Sequence, residues 1–155
     1  MTDLIEIAVD DLSGEDIAQF LQDHIDDMRA MSPPESKHAL DLEGLRQPDI
    51  TFWSIYSAGT LVGCGALKEL TAGHGEIKSM RTGAAARGRG VGSAMLQHIL
   101  SEARARGYAR LSLETGSMAF FQPAHRLYAR HGFEFCEPFA DYKEDPNSLF
   151  MTLVL

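Results

Sequence analysis

Three glycines alternate along Arg87-Gly88-Arg89-Gly90-Val91-Gly92-Ser93, directly ahead of a strongly amphipathic stretch. Glycine lets a backbone approach a ligand closely and take conformations closed to other residues. The first turn of a helix carries unpaired N–H groups and a partial positive charge. A diphosphate set there accepts several of those N–H groups, and Arg87 and Arg89 add positive charge at the rim. The chemistry that this segment serves is capture of a phosphate-bearing ligand. A solvated glycine-rich turn would use the same residues; a strand pattern before the loop and a helix pattern after it favour capture. Two familiar phosphate loops are excluded. The Lys-Ser/Thr pair of a nucleoside-triphosphatase loop is absent, and Gly88-x-Gly90-x-Gly92 lacks the G-x-G-x-x-G spacing of dinucleotide folds.

The elements that must position this loop follow from periodicity. Leu4 to Val9 is rich in β-branched residues and reads as a first strand. Ser13, with Asp16 three residues later, resembles a helix start. Ile17, Phe20, Leu21, Ile25 and Met28 then share one helical face, which should end before Ser32-Pro33-Pro34. A short helix is predicted over Ala39 to Arg46. Thr51–Ser57 and Thr60–Leu70, joined by Ala58-Gly59, read as a hairpin. Thr71 to Gly75 is a turn and Glu76 to Thr82 a fourth strand. From Gly90 a helix runs to about Arg106, with Met95, Leu96, Ile99, Leu100 and Ala103 on its apolar face and Gly107 as its cap. Ala109 to Glu114 is a fifth strand. A helix carrying Ala124, Leu127 and Tyr128 has Pro123 near its first turn and Gly132 past its end. Phe133 begins another strand, Glu137 to Ser148 is a loop, and Leu149 to Leu155 closes the chain as a strand. Hairpins followed by alternating strands and helices imply an α/β (α+β) fold, a mixed sheet with helices on its faces.

Composition narrows the partners. The 155 residues suit one domain spanning 1–155, and 45% hydrophobic content supplies an ordinary core. A formal net charge of -8 argues against nucleic-acid binding, which needs a basic surface. Arg81, Arg87, Arg89, Arg104 and Arg106 nevertheless fall close together, as an anionic ligand would require. No apolar run is long enough for a membrane span and no signal-peptide pattern opens the sequence, so a cytoplasmic protein is expected. Cys64 and Cys136 lack metal-ligand spacing and read as buried free thiols rather than a disulfide or a catalytic pair. The six histidines show no metal-ligand pattern, and no metal is expected.

Met80-Arg81-Thr82, a spacer, and Arg87-x-x-Gly90-x-Gly92 together resemble the acetyl-CoA signature of the GNAT acyltransferase superfamily, Q/R-x-x-G-x-G/A after a fourth strand. Ala124-x-x-Leu127-Tyr128-x-x-x-Gly132-Phe133 resembles that family's second motif. Ile77-Lys78-Ser79-Met80-Arg81-Thr82, Leu113-Glu114-Thr115-Gly116 and Pro123-Ala124, with Pro34-Glu35-Ser36 and His38-Ala39-Leu40-Asp41 earlier, look closest to a bacterial subgroup of N-acetyltransferases without firm substrates. Phe121 stands where many relatives carry an asparagine that helps hold pantetheine, and Ala84 stands where the loop often has proline.

The resemblance implies a mixed, mostly antiparallel sheet of about seven strands flanked by about four helices and splayed between strands 4 and 5. It implies acetyl-CoA as donor, with backbone of Met80, Arg81 and Thr82 along the pantetheine and amides of Arg87, Gly88, Arg89, Gly90, Val91, Gly92 and Ser93 around the pyrophosphate. Tyr128 would face the CoA sulfur as the acid, although helical spacing alone reads it as a tyrosine packed on the sheet. Glu76 on the fourth strand would be the base, with Glu114 its rival; each also reads as a plain strand carboxylate. A backbone N–H near Met80 or Arg81 would stabilise the oxyanion. His38 would overlie the acceptor or be a satisfied loop histidine, and Lys78 and Arg81 could bind an acceptor carboxylate or be solvated strand charges. The acceptor would be a primary amine of a small molecule or peptide, its identity set by Asp23–Arg46 and Glu137–Ser148, and a homodimer is plausible by analogy. The alternative is a non-catalytic acyl-CoA-binding module.

Overall fold

The structure, a computed structural model, describes residues 5–31 and 42–155. One mixed sheet runs through it, built from β1 (Ile5–Val9), β2 (Ile50–Ser57), β3 (Thr60–Thr71), β4 (His74–Thr82), β5 (Arg110–Gly116), β6 (Glu134–Cys136) and β7 (Ser148–Val154) in the order β1-β2-β3-β4-β5-β7-β6. All neighbours are antiparallel except β4 and β5. Helices α1 (Glu15–Met31), α2 (Leu42–Leu45), α3 (Val91–Ala105) and α4 (Gln122–Arg130) flank it. The expected fold class, strand number and helix number are thereby met.

Strand alternation divides the core between two faces. Trp53, Ile55, Leu67, Ile77, Leu111 and Leu113 point to the α3–α4 side, where they pack with Met95, Leu96, Ile99 and Tyr128. Phe52, Cys64 and Ala66 point the other way, under Ile17 and Leu21 of α1 and Leu45 of α2. The periodicity of α3 is realised in full: Met95, Leu96, Ile99, Leu100 and Ala103 are all buried. Some boundaries shift. Strand pairing extends β3 to Thr71 and starts β4 at His74, shortening the turn. Ser13 does not cap α1, because its hydroxyl donates to the Asp11 carboxylate at 2.6 Å; Ala18 N–H bonds the Gly14 carbonyl instead. The expected helix from Ala39 falls partly outside the described residues; Leu42–Leu45 is helical.

The feature that positions the site is the junction of β4 and β5. Their parallel pairing joins His74 to Arg110 and continues only to Ile77 and Leu113, although β4 runs on to Thr82 and β5 to Gly116. Beyond that point β4 stays bonded to β3, up to the Thr82–Gly63 pair, and β5 stays bonded to β7, up to the Gly116–Ser148 pair. Ser79 sits at φ 54 where the β3–β4 register shifts, a bulge that bends β4 away from β5. The splay expected between strands 4 and 5 is therefore present.

Phe121, in the 3-10 turn Ala119–Phe121 that leads into α4, wedges against the end of β5. A Cβ on Gly116 would lie 2.2 Å from its ring. Gly116→Ala is expected to cost about 1–3 kcal/mol by overpacking. Thermal unfolding should register this as a fall of about 2–4 °C per kcal/mol. Adding Phe121→Ala should make the Gly116→Ala step nearly neutral.

Candidate active site

Gly88 and Gly90 both adopt positive φ, 79° and 81°, with nothing within 4 Å of the place a Cβ would take. Gly90 is the N-cap of α3 in the left-handed region. The first bond inside the helix runs from Ala94 N–H to the Gly90 carbonyl, so the amides of Val91, Gly92 and Ser93 precede the helical ladder and have no partner within it. They border a cleft of about 540 Å³. Its walls include Met80, Arg81 and Thr82 of β4, Arg87 and Gly88 of the loop, and Gly90 to Ser93. Of the residues anticipated to hold CoA, Arg89 alone stays off this wall, exposed on the loop. Arg130 of α4 joins Arg81 and Arg87 as a third arginine on the wall.

The cleft narrows at the split into a pocket of about 100 Å³, lined by Glu76, Lys78, Glu114, Thr115 and others. His24, Met28, Met80, Phe121, Ala124 and Tyr128 line both spaces. Lys78 and Glu114 are the first residues past the last β4–β5 pair. Because Ile77 and Leu113 point toward α3, their neighbours Glu76, Lys78 and Glu114 project to the opposite face. Tyr128 belongs to the α3–α4 side. The carboxylates and the tyrosine thus reach one pocket from opposite faces of the sheet.

Each of these groups has a definite environment. Glu76 is 2% exposed; its Oε2 accepts from Lys78 Nζ at 3.1 Å and from the Tyr142 hydroxyl at 2.5 Å. Lys78 Nζ also donates to the Tyr142 oxygen at 2.9 Å. Glu114 Oε2 accepts from the Ser148 hydroxyl at 2.7 Å. Tyr128 is buried with its ring edge toward Phe133; burial pushes its phenol well above the ordinary tyrosine range, so it keeps its proton at neutral pH. Arg81 is directed to α1, where Nη1 bonds Asp27 Oδ2 at 2.8 Å and the guanidinium covers the Phe20 ring. Cys64 donates to the Ser79 carbonyl, and burial lifts its thiol to about 12, which makes it inert. His38 lies outside the described residues. Among the described residues no group of three or more His, Cys, Asp or Glu could hold a metal, and no helix is long and apolar enough to cross a membrane.

Two lining or supporting residues escape sequence reasoning. His24 faces both spaces from α1, and no motif marks it. Tyr142 comes from a polar loop with no periodicity and reaches Glu76 across 66 positions of sequence. Burial first, then the charge of Glu76, keep its phenol protonated and donating.

A split mixed sheet, with an open helix mouth at one end of a cleft and two carboxylates and a phenol at the other, has the parts that an acyltransferase needs. The chain belongs to the acetyltransferase (GNAT) family, whose model matches residues 17–133. It is 60% identical to the uncharacterized N-acetyltransferase YsnE of Bacillus subtilis (strain 168) over 148 residues, covering 96% of this chain and 98% of that one. It is 50% identical to the uncharacterized N-acetyltransferase YedL of Escherichia coli (strain K12), covering 98% and 96%. A Klebsiella pneumoniae crystal structure, provisionally described as an acyl-CoA N-acyltransferase, superposes with a TM-score of 0.76 at 27% identity over 98% of each chain.

The environment of His24 makes a stability prediction. Burial, and then the nearby Arg81 charge, lower its pKa from 6.5 to about 4, with Asp27 opposing. The unfolded chain therefore binds this proton first, and stability is lost as pH falls through 6.5 toward 4. Between pH 7 and 4.5 the wild type should lose about 2 kcal/mol more unfolding free energy than His24→Gln in urea titrations. Equal losses in the two proteins would contradict this.

Proposed function

We propose that the protein transfers an acetyl group from acetyl-CoA to a primary amine of a small molecule or peptide by direct attack. The observation that carries this reading is the continuous wall from the unpaired amides of Val91 to Ser93 to the pocket flanked by Glu76 and Tyr128. A diphosphate on those amides, with Arg87 and Arg130 at the rim, would aim an extended thioester arm along Met80 to Thr82 toward the split. The small pocket, walled by Phe121 and Met28, favours a short acyl group.

The chemistry needs three contributions. Alignment of amine and thioester supplies a large share of the acceleration. The amine nitrogen bonds to the thioester carbon and loses a proton to Glu76; both recorded donors to Glu76 fall on Oε2, which leaves Oε1 for that proton. The C–S bond breaks, and the departing sulfur takes a hydrogen bond and then the proton from Tyr128. An unpaired N–H of the β4 segment past Ile77 would receive the charge developing on oxygen.

Release of free CoA thiol from acetyl-CoA, measured with polyamines, amino acids, aminoglycosides and a peptide with a free N-terminus, tests the reading. Tyr128→Phe should lower kcat about 10²-fold while CoA binding by calorimetry is retained. Glu76→Gln should lower it by about 10²- to 10³-fold. Undiminished turnover in Glu76→Gln with a large loss in Glu114→Gln would transfer the base role to Glu114.

A further inference from the structure

The loop between β6 and β7, together with the strand it enters, supplies one hydroxyl to each carboxylate of the split. Tyr142 donates to Glu76 of β4, and Ser148, the first residue of β7, donates to Glu114 of β5. The loop is fixed at its end, where Ser117 N–H bonds the Asn147 carbonyl and the Ser117 hydroxyl bonds the Pro146 carbonyl. Its aromatic side chains form a packed cluster: Tyr142 lies 5.1 Å from Phe139 and 5.5 Å from Phe150, centroid to centroid. Phe150 in turn pairs with Glu114 in register on the β5–β7 ladder. The phenol of Tyr142 is therefore placed by packing, and it touches both members of the Glu76–Lys78 pair.

We propose that Tyr142 is a positioning residue for the acetyl transfer, holding Glu76 by Oε2 as a carboxylate so that Oε1 is presented to the acceptor. This rests on the reading of Glu76 as proton acceptor. A buried ion pair is costly unless further hydrogen bonds satisfy it, and Lys78 has only Glu76 and the Tyr142 oxygen as partners among the described residues. Three atoms, Oε2, Nζ and the phenolic oxygen, close a triangle of 3.1, 2.9 and 2.5 Å. Rotation of the carboxylate would break two of its sides at once. The groups facing Glu76 are Lys78 and His74 on its own strand, Tyr142 on the loop, Ser112 and Glu114 on β5, and His24 on α1. Of these, Lys78 and Tyr142 donate to it. Loss of a donor to a carboxylate favours its protonated form.

The measurement is carbon NMR titration of the Glu76 side-chain carboxyl in full-length, glutamate-labelled protein, its resonance assigned by its loss in Glu76→Gln. Tyr142→Phe should raise the titration midpoint by about one pH unit. Phe139→Leu, which keeps the hydroxyl while loosening the packing that places it, should lower the melting temperature and move the midpoint by less than Tyr142→Phe does. A midpoint unchanged in Tyr142→Phe, or moved equally in Phe139→Leu, would overturn the proposal. Failure of the underlying reading looks different: Glu76→Gln would turn over acetyl-CoA and amine undiminished, whatever the titration shows.

Discussion

Two parallel strands that pair for four residues and then part make the site possible. Backbone N–H and C=O groups demand partners, so a gap inside a sheet is stable only where something else holds each strand. Here β3 holds β4 and β7 holds β5 well past the split. The Ser79 bulge turns β4 aside, and the Cys64 thiol satisfies the carbonyl that the bulge displaces. The unpaired edge borders a cavity instead of packed core. A neighbouring ligand backbone can then be bonded as a strand would be.

The split also solves a placement problem. Strand alternation sends Ile77 and Leu113 into the α3 core and Glu76, Lys78 and Glu114 to the other face. A tyrosine from α4 and a carboxylate from β4 cannot meet through an intact sheet. With the strands parted they line one pocket. The buried carboxylate is compensated locally by Lys78 and Tyr142, so the acidic site exists without an uncompensated charge in the interior.

Helix α3 meets the core with one part and the cleft with another. Its buried face anchors it on β3 and β4, and a Gly90 in the left-handed region leaves its first amides open to the cleft. Rigidity from packing and openness at the terminus come from the same short stretch of sequence, Gly88 to Ala103.

That stretch was legible because its signals are local. Glycine spacing and a helical repeat depend only on neighbours along the chain, and the strand patterns around Trp53 and Leu67 are local in the same way. Resemblance of Met80–Gly92 and Ala124–Phe133 to a known family supplied the splay and the candidate carboxylates. Two local readings were displaced for different reasons: Ser13 turned back to Asp11, a competing bond two residues away, and β4 began two residues early because Gly75 pairs with Glu69 and with the distant Leu111. The triangle of Glu76, Lys78 and Tyr142 left no trace in the sequence, since it joins a strand to a polar loop 66 positions away through packing of Phe139 and Phe150. Sequence determined which segments fold and which glycines open the first turn of α3 to the cleft; tertiary structure alone decided which face each side chain takes at the split, because that depends on register between strands distant in the chain.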